Sequence, residues 1–484
     1  MKKVLFRRLI YLSLLMGMIL LIYACATNPV TGKKEFMLVS EADEIQMGAA
    51  YDPQITASYG LYDNPEVAEY IESIGQQMVK LSHRPELQFH FRLLDTPVIN
   101  AFAVPGGYVY ITRGILAYLN NEAELAGVIG HEIGHITARH SAKQISTQQV
   151  AQIGLGAGMI LSEDFRKFAG LAQAGVGMLF LRFSRDNERQ SDDLGVEYST
   201  KAGYDSREMA NFFATLDKMS PDEQQGGLPG WFSTHPNPAD RVPAVIEKSG
   251  EWQAKVGPQN LKINRDPYLR KIDGIVYGED PRQGYVENNM FYHPDLKFQF
   301  PVPAGWETIN TPTQVQMSSQ EQNAIIIFQL AKGNTPAEAA NQFLSENQAR
   351  VISNESKNVN GLSAQKVISA IGTEQGELQV MSYFIQKAAN IFVFHGVTDV
   401  AGFAKNQPVF ETTMGSFKNL SDPKKLNVKP ARIETKTVPS ATTLREALSS
   451  FGVAEDKLSD LALMNGMELS NSLPANSLIK IIKK

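Results

Sequence analysis

Residues 122–137 read EAELAGVIGHEIGHIT, a run of good helix formers that contains His131-Glu132-Ile133-Gly134-His135. On an α-helix, residues four apart share a face, so both imidazoles can reach one metal ion. No other feature of the chain restricts the fold as much. Asn121 to Arg139 must form one helix, and another part of the chain must bring up the remaining donors. Zinc suits two such imidazoles, with a position left open for water. Glu132 would sit beside that water and take its proton, and the metal would lower the water's pKa and polarise a scissile carbonyl.

A third ligand is required. His140 is near in sequence but lies five residues past His135, about 140° around an ideal helix. Ala138 and Ser141 stand where a metzincin pattern needs Gly and His. A gluzincin-type site instead takes a Glu from a later helix, and Asn187-Glu188-Arg189-Gln190-Ser191-Asp192 supplies one. Glu188 and Asp192 are four apart and face the same way. Glu188 can bind the metal, while Asp192 can hold the free N–H of a ligand imidazole. His140 is then expected to have a capping or structural role.

Composition removes several alternatives. The 484 residues contain one cysteine, which excludes a disulfide framework and Cys-rich zinc modules. Hydrophobic residues make up 43% and the net charge is −5, so the chain is globular and shows no basic field for nucleic acid. Lys2, Lys3, Arg7 and Arg8 precede an apolar run from Leu9 to Tyr23, the layout of a secretory signal peptide. That run ends in Leu21-Ile22-Tyr23-Ala24-Cys25, which resembles a bacterial lipobox. The resemblance implies that residues 1–24 are removed and that Cys25 is lipidated. Ala26 at the next position implies delivery to the outer membrane of a Gram-negative cell. The apolar stretches Val150–Leu161 and Phe168–Phe183 are too short to span a bilayer and read as buried helices, with a helix lying on the membrane surface as the alternative.

The pattern predicts a multidomain α+β chain. Residues 25–39 form a tether, and 40–250 are mostly helical with a small β-sheet. Phe89–Leu94 and Ala101–Thr112 read as strands, the second broken by a turn at Pro105-Gly106-Gly107. Residues 220–243 read as a loop, 251–287 as a linker, 288–420 as an α/β domain and 421–432 as a second linker. Residues 433–484 read as a small βααβ unit. Its Leu444-Arg445-Glu446-Ala447, Leu461-Ala462-Leu463-Met464-Asn465 and Leu473–Ile479 segments resemble a LysM module, which implies peptidoglycan as a partner. The 288–420 domain faintly resembles PsbP-like modules.

Five motifs occur in order: Asn100-Ala101-Phe102-Ala103-Val104-Pro105-Gly106-Gly107, His131-Glu132-x-x-His135, Ser184-Arg185-x-x-Glu188-x-x-x-Asp192, Ala202-Gly203-Tyr204-Asp205 and Thr234-His235-Pro236. Together they resemble the CAAX prenyl endopeptidase type of zinc metallopeptidase, in its soluble bacterial periplasmic branch that serves β-barrel assembly. The resemblance implies that His131, His135 and Glu188 bind one Zn2+, that Glu132 is the catalytic base, and that Asp192 orients a ligand or donates a proton. Gln190-Ser191 departs from the usual Glu-Ala. Asn100, Ala101, Phe102 and Ala103 read as an exposed edge strand able to add a polypeptide substrate. His235 and Arg241 are candidates for gating the site or contacting the transition state. The expected function is a lipid-anchored periplasmic zinc endopeptidase acting on unfolded or misassembled polypeptide. The rival is a chaperone-like or peptidoglycan-binding envelope protein.

Overall fold

The computed structural model describes residues 25–155, 183–219, 230–235, 238–257, 260–373 and 376–484. The signal-peptide assignment to 1–24 and most of the two apolar stretches lie outside them. The chain forms two compact units. The first holds the described residues of Met1–Thr56 with Gly60–Tyr277 and Arg432–Lys483; the second holds Gly278–Ala431 with Ala57–Tyr59 and Lys484.

In the first unit a hairpin of β1 (Cys25–Thr27) and β2 (Lys34–Phe36) leads into α1 (Glu41–Tyr59). Ser40 caps α1 in a reciprocal box with Asp43. Helix α2 (Pro65–Val79) starts at an Asn64 cap and buries Val67, Ile71, Ile74 and Met78, a helical stripe. A small sheet follows, ordered β3 (His90–Leu94), β5 (Tyr108–Thr112), β4 (Ala101–Val104). The β4–β5 turn uses Gly106 and Gly107 at φ 83° and 95°. A Cβ on Gly107 would meet the Gln88 carbonyl oxygen at 2.2 Å, so only glycine fits there. Then come α3 (Arg113–Tyr118), α4 (Glu122–Thr137), α5 (His140–Leu155), α6 (Arg185–Lys201), α7 (Glu208–Asp217), the single turn α8 (Trp231–Thr234), α9 (Pro238–Val256), α10 (Arg265–Lys271) and β6 (Val276–Tyr277).

Helix α4 is buried on every side from Ala123 to Thr137. Its contact with α6 depends on absent side chains. A Cβ on Gly195 of α6 would lie 2.9 Å from the His131 backbone nitrogen, and one on Gly130 would lie 3.0 Å from the Gly195 carbonyl oxygen. Farther along, Gly134 faces Ser191 and Leu194 at 3.1–3.2 Å. The two backbones therefore touch along two turns of helix.

Several expectations are corrected. The helix read from Asn121 to Arg139 stops at Thr137. Arg139 turns left-handed at φ 60° and α5 restarts at His140, so angles on one ideal helix do not place His140. Residues 251–287 are not a linker. They carry the end of α9, α10 and β6, and Tyr268, Leu269, Ile272 and Ile275 are fully buried in the main core. The 220–243 loop contains α8 and the start of α9. β4 is an edge strand by order, but Ala101, Phe102 and Val104 are buried and Ala103 is half-buried, so its side chains are not exposed as expected.

The second unit contains a four-stranded sheet of β7 (Tyr285–Glu287), β8 (Met290–His293), β9 (Phe298–Pro301) and β17 (Lys418–Asn419). A seven-stranded sheet is ordered β10 (Glu307–Asn310), β11 (Gln314–Ser318), β12 (Ala324–Ala331), β16 (Asn390–Asp399), β15 (Gly376–Lys387), β14 (Leu362–Thr373), β13 (Arg350–Val359). Helices α11 (Pro336–Glu346) and α12 (Phe403–Gly415) pack against it. Every neighbouring pair of the large sheet is antiparallel, so this unit is α+β rather than α/β. Its hairpins need only tight turns, such as that at Asn360-Gly361. The turn α13 (Pro423–Leu426) occupies the expected 421–432 linker.

The C-terminal residues form β18 (Ala431–Thr437), β19 (Thr442–Thr443), α14 (Leu444–Ser450), α15 (Leu458–Met464), β20 (Ser472–Leu473) and β21 (Leu478–Lys483). The two helices are flanked by strands as expected, but with an added β19–β20 pair, and the module is not separate. β6 joins β18 and β21 in one sheet, and Ile433 and Leu478 belong to the main core.

The helix contact predicts a contrast between two glycines. Gly195→Ala should destabilise the protein by about 1–3 kcal/mol, the usual range for overpacking. Gly250→Ala, in α9 with nothing within 4 Å, should be neutral or stabilising by about 0.5–1 kcal/mol. Thermal denaturation of both variants checks this; equal effects would contradict the backbone contact.

Candidate metal centre

Helix α4 begins with Asn121, whose side chain accepts from the Glu124 amide. About three turns later it presents His131, Glu132 and His135, all at most 1% exposed. His131 Nε2 and His135 Nε2 lie 3.0 Å apart and so face one point. Helix α6 is capped by Ser184 and brings Glu188 to the same point. The Glu188 carboxylate lies 3.5 Å from His135 Nε2 and 3.7 Å from His131 Nε2. His235 caps α8, its amide bonded to the Trp231 carbonyl, and its Nδ1 lies 3.1 Å from both Glu188 oxygens. The donor atoms of His131, His135, Glu188 and His235 all fall within 4.8 Å of one another. Among the described residues this is the one such cluster of buried donors.

The surroundings fix which nitrogen faces the cluster. Asp192 Oδ1 sits 2.9 Å from His131 Nδ1, so Nδ1 donates outward and Nε2 keeps its lone pair inward. His135 Nδ1 lies 3.1 Å from His140 Nδ1, and His140 Nε2 lies 3.0 Å from Gln190 Oε1. Gln190 can only accept at that oxygen. The consistent assignment has His140 donating to Gln190 and His135 donating to His140, which again leaves Nε2 of His135 facing inward. Gln190 and His140 thus do for His135 what Asp192 does for His131. The sequence reading turned His140 away from this site, and the left-handed break at Arg139 is what brings it back.

Arg241, in the first turn of α9, is buried and donates to both oxygens of Asp192 at 2.5 and 2.7 Å. It also lies 3.1 Å from Glu188 Oε2. Burial alone would push the Asp192 and Glu188 carboxylates up. Arg241 outweighs it at Asp192, and His235, His135 and His131 outweigh it at Glu188, so both stay below the usual carboxylate range. Glu132 behaves differently. Burial pushes it up against the weaker pull of His235 and His131. Both its oxygens are buried without a hydrogen-bond partner, as is His235 Nε2, 3.5 Å from Glu132 Oε1.

Aromatic rings close the site. Phe183 lies 4.1 Å from the His135 ring and Trp231 lies 4.4 Å from the His235 ring. Phe213 stacks under Arg241 at 4.1 Å. Neither Phe183 nor Trp231 carries a sequence signal beyond its apolar character. Of the edge-strand residues, Asn100 is tied into the sheet through Thr112, and β4 packs along α4.

Three imidazoles and one carboxylate suit zinc by donor type. The unpartnered Glu132 carboxylate beside them is an orphan that a polar occupant would satisfy.

Residues 65–249 match the profile of peptidase family M48. His131, Glu132, His135, Glu188, Asp192, His235 and Arg241 all fall inside this matched stretch, which is similar to metallopeptidase domains of that family. The chain is 30% identical over 253 residues to the beta-barrel assembly-enhancing protease of Escherichia coli K12, covering 51% of each chain. It is 32% identical over 262 residues to the protein of the same name from Yersinia pestis, covering 52% of each. It is 29% identical over 233 residues to the mitochondrial metalloendopeptidase OMA1 of Schizosaccharomyces pombe, covering 47% of this chain and 67% of that one. The chain thus spans about half the length of the two bacterial relatives. A cyanobacterial PsbP structure from Synechocystis is 12% identical over 27% of this chain and 91% of that chain. Its TM-score of 0.24 is too low to bear on the fold.

The geometry ranks three substitutions by zinc affinity. Glu188→Ala removes a donor and should weaken zinc the most. Asp192→Ala and His140→Ala each remove only the partner that orients an imidazole, so each should weaken zinc about 10–100-fold. Competition against a chromophoric chelator measures all three. Wild-type affinity in Glu188→Ala would contradict the donor set.

Proposed function

We propose that this chain is a zinc-dependent endopeptidase of the bacterial cell envelope, of the CAAX prenyl endopeptidase type, acting on unfolded or misassembled polypeptide. The observation that carries the reading is the cluster of four buried donors with the unpartnered Glu132 carboxylate beside it. His131, His135 and Glu188 would hold the ion. Zinc, when bound, supplies Lewis acidity that acidifies water and polarises a peptide carbonyl. Glu132 accepts the proton of the attacking water and returns it to the leaving amine. Its burial pushes it above the usual carboxylate range, the direction a general base needs. Asp192 and His140 keep the imidazoles aimed, and Arg241 holds Asp192 ionised. His235 reaches the same cluster from α8, so its displacement from Glu188 would open the site, while its ring remains near enough to donate to a developing oxyanion. The outer strand β4 offers a main-chain edge beside α4 on which a substrate can lie as an added strand.

The apolar run ending at Cys25 supports a lipid anchor to the outer membrane and a periplasmic location. No helix of the described residues is long and apolar enough to cross a membrane. The names of the bacterial relatives support a role beside β-barrel assembly, and the βααβ module supports contact with peptidoglycan.

Glu132→Gln should bind zinc as the wild type does and lose at least 100-fold in cleavage of unfolded casein, because only the proton acceptor is gone. Metal content and proteolysis measured on one preparation test this. Near-wild-type activity would remove Glu132 from its role, and an inactive, metal-free wild type would favour a chaperone-like binding protein. Separately, Cys25→Ser should move the protein from the membrane fraction to the soluble periplasm. Retention of this variant in membranes would rule out an acyl anchor as the main attachment.

A further inference from the structure

Lys480 lies on β21 of the C-terminal module, and its side chain is fully buried. Its ammonium donates to the carbonyl oxygens of Ala117 at 2.7 Å and Leu119 at 2.8 Å. These carbonyls end α3, where the last turn of a helix has no internal donors. Only Asn120 and Asn121 separate Leu119 from α4. The Asn120 amide donates to Glu124 Oε2 at 2.6 Å, and Asn121 Oδ1 accepts from the Glu124 amide at 2.8 Å. Glu124 is buried, which pushes it up to about 8 against the pull of Lys480 and Arg265, and burial likewise pushes Lys480 well below its usual range against the pull of Glu124.

The other side of Lys480 is held as firmly. Asn465, the cap of α15, accepts from the Lys480 amide and donates to the Lys480 carbonyl. A buried polar chain therefore runs from α15 through β21 and the α3–α4 junction to the first turn of α4. Glu124 precedes His131 by seven residues, two turns on nearly the same stripe of a rigid helix. Packing alone does not call for this lysine. An aliphatic residue fills a buried strand position with no charge to desolvate. What the ammonium adds is direction: it fixes two named carbonyls just ahead of the metal-donor helix.

We propose that Lys480 is a positioning residue for the peptidase site, and that through the α3–α4 junction it sets the register of the helix carrying His131 and Glu132. The C-terminal module is on this view a part of the catalytic unit. The inference rests on the zinc-peptidase reading for its kinetic consequence, but not for its structural one.

The full-length chain carries the test, as Lys480→Met, Lys480→Arg and the double variant Lys480→Met/Glu124→Gln. Three quantities are read: hydrogen exchange of residues 119–131, kcat and KM on unfolded casein, and Tm. Lys480→Met should speed exchange across 119–131 and lower kcat about tenfold with KM unchanged, since small misplacements cost rate rather than binding. Lys480→Arg should recover part of both. The double variant removes the carboxylate left without its cation, so it should regain Tm without regaining kcat or slow exchange. If Lys480→Met does not fold, the double variant decides alone. Recovery of kcat in step with Tm would show that Lys480 only stabilises, and wild-type exchange with wild-type kcat in folded Lys480→Met would also overturn the proposal. A wild type without zinc-dependent activity would instead defeat the peptidase reading, and the exchange data would still judge the register.

Discussion

Four side chains with donors that could hold a metal are buried around one point, and much of the first unit compensates for that. Stripping water from a carboxylate and three imidazoles is costly unless each polar atom finds a partner. Arg241 answers the two carboxylates on α6, Asp192 and Gln190–His140 answer the outer nitrogens of the two α4 histidines, and α8 delivers His235 to Glu188. Glu132 alone is left without a partner for either oxygen among the donors of α4 and α6. Both Glu132 oxygens and the nearby His235 Nε2 are the polar atoms at the centre of the cluster left for an occupant to satisfy.

Such an arrangement works only if α4 does not move. Its C-terminal end is held by Arg84 donating to the Ile136 carbonyl and by Asn28 donating to the Ala138 carbonyl. Arg84 and Arg139 share Glu44, a buried acid of α1. The N-terminal end is held by its Asn121 cap and by Glu124. Along its length, Gly130 and Gly134 let α6 approach to backbone contact, which sets how far Glu188 and Asp192 reach. The polar clamps act at the ends and the glycines in the middle, so the positions of both histidines follow from the fold rather than from the metal.

What was legible in the sequence was what a periodicity can carry. His131 and His135 on one face, and Glu188 with Asp192 on another, follow from a spacing of four on two capped helices. The rest depended on geometry that spacing does not encode. His140 looked misplaced because one continuous helix was assumed, whereas Arg139 breaks it with a left-handed residue. The glycines of α4 carry no periodic signal within a run read as good helix formers, yet their use is helix contact. Residues 251–287 looked like a charged linker because their buried side chains, Tyr268, Leu269, Ile272 and Ile275, are scattered between turns. Residues 288–420 read as an α/β domain because only their most apolar strands stand out. Its polar edge strand β13, exposed along most of its length, carries no apolar pattern. Without β13 the antiparallel order could not be seen.

Zinc K-edge X-ray absorption on the purified full-length chain tests the central claim most directly, since it reports both the element and its ligands. One zinc per chain is expected, with nitrogen and oxygen neighbours at about 2.0–2.2 Å, an imidazole signature from at least two histidines and no sulfur. Loss of the imidazole signal in His131→Ala/His135→Ala would tie the ion to α4. A chain that holds no zinc after exposure to it, or holds it with an unchanged spectrum in that double variant, would contradict a metal centre built on these helices.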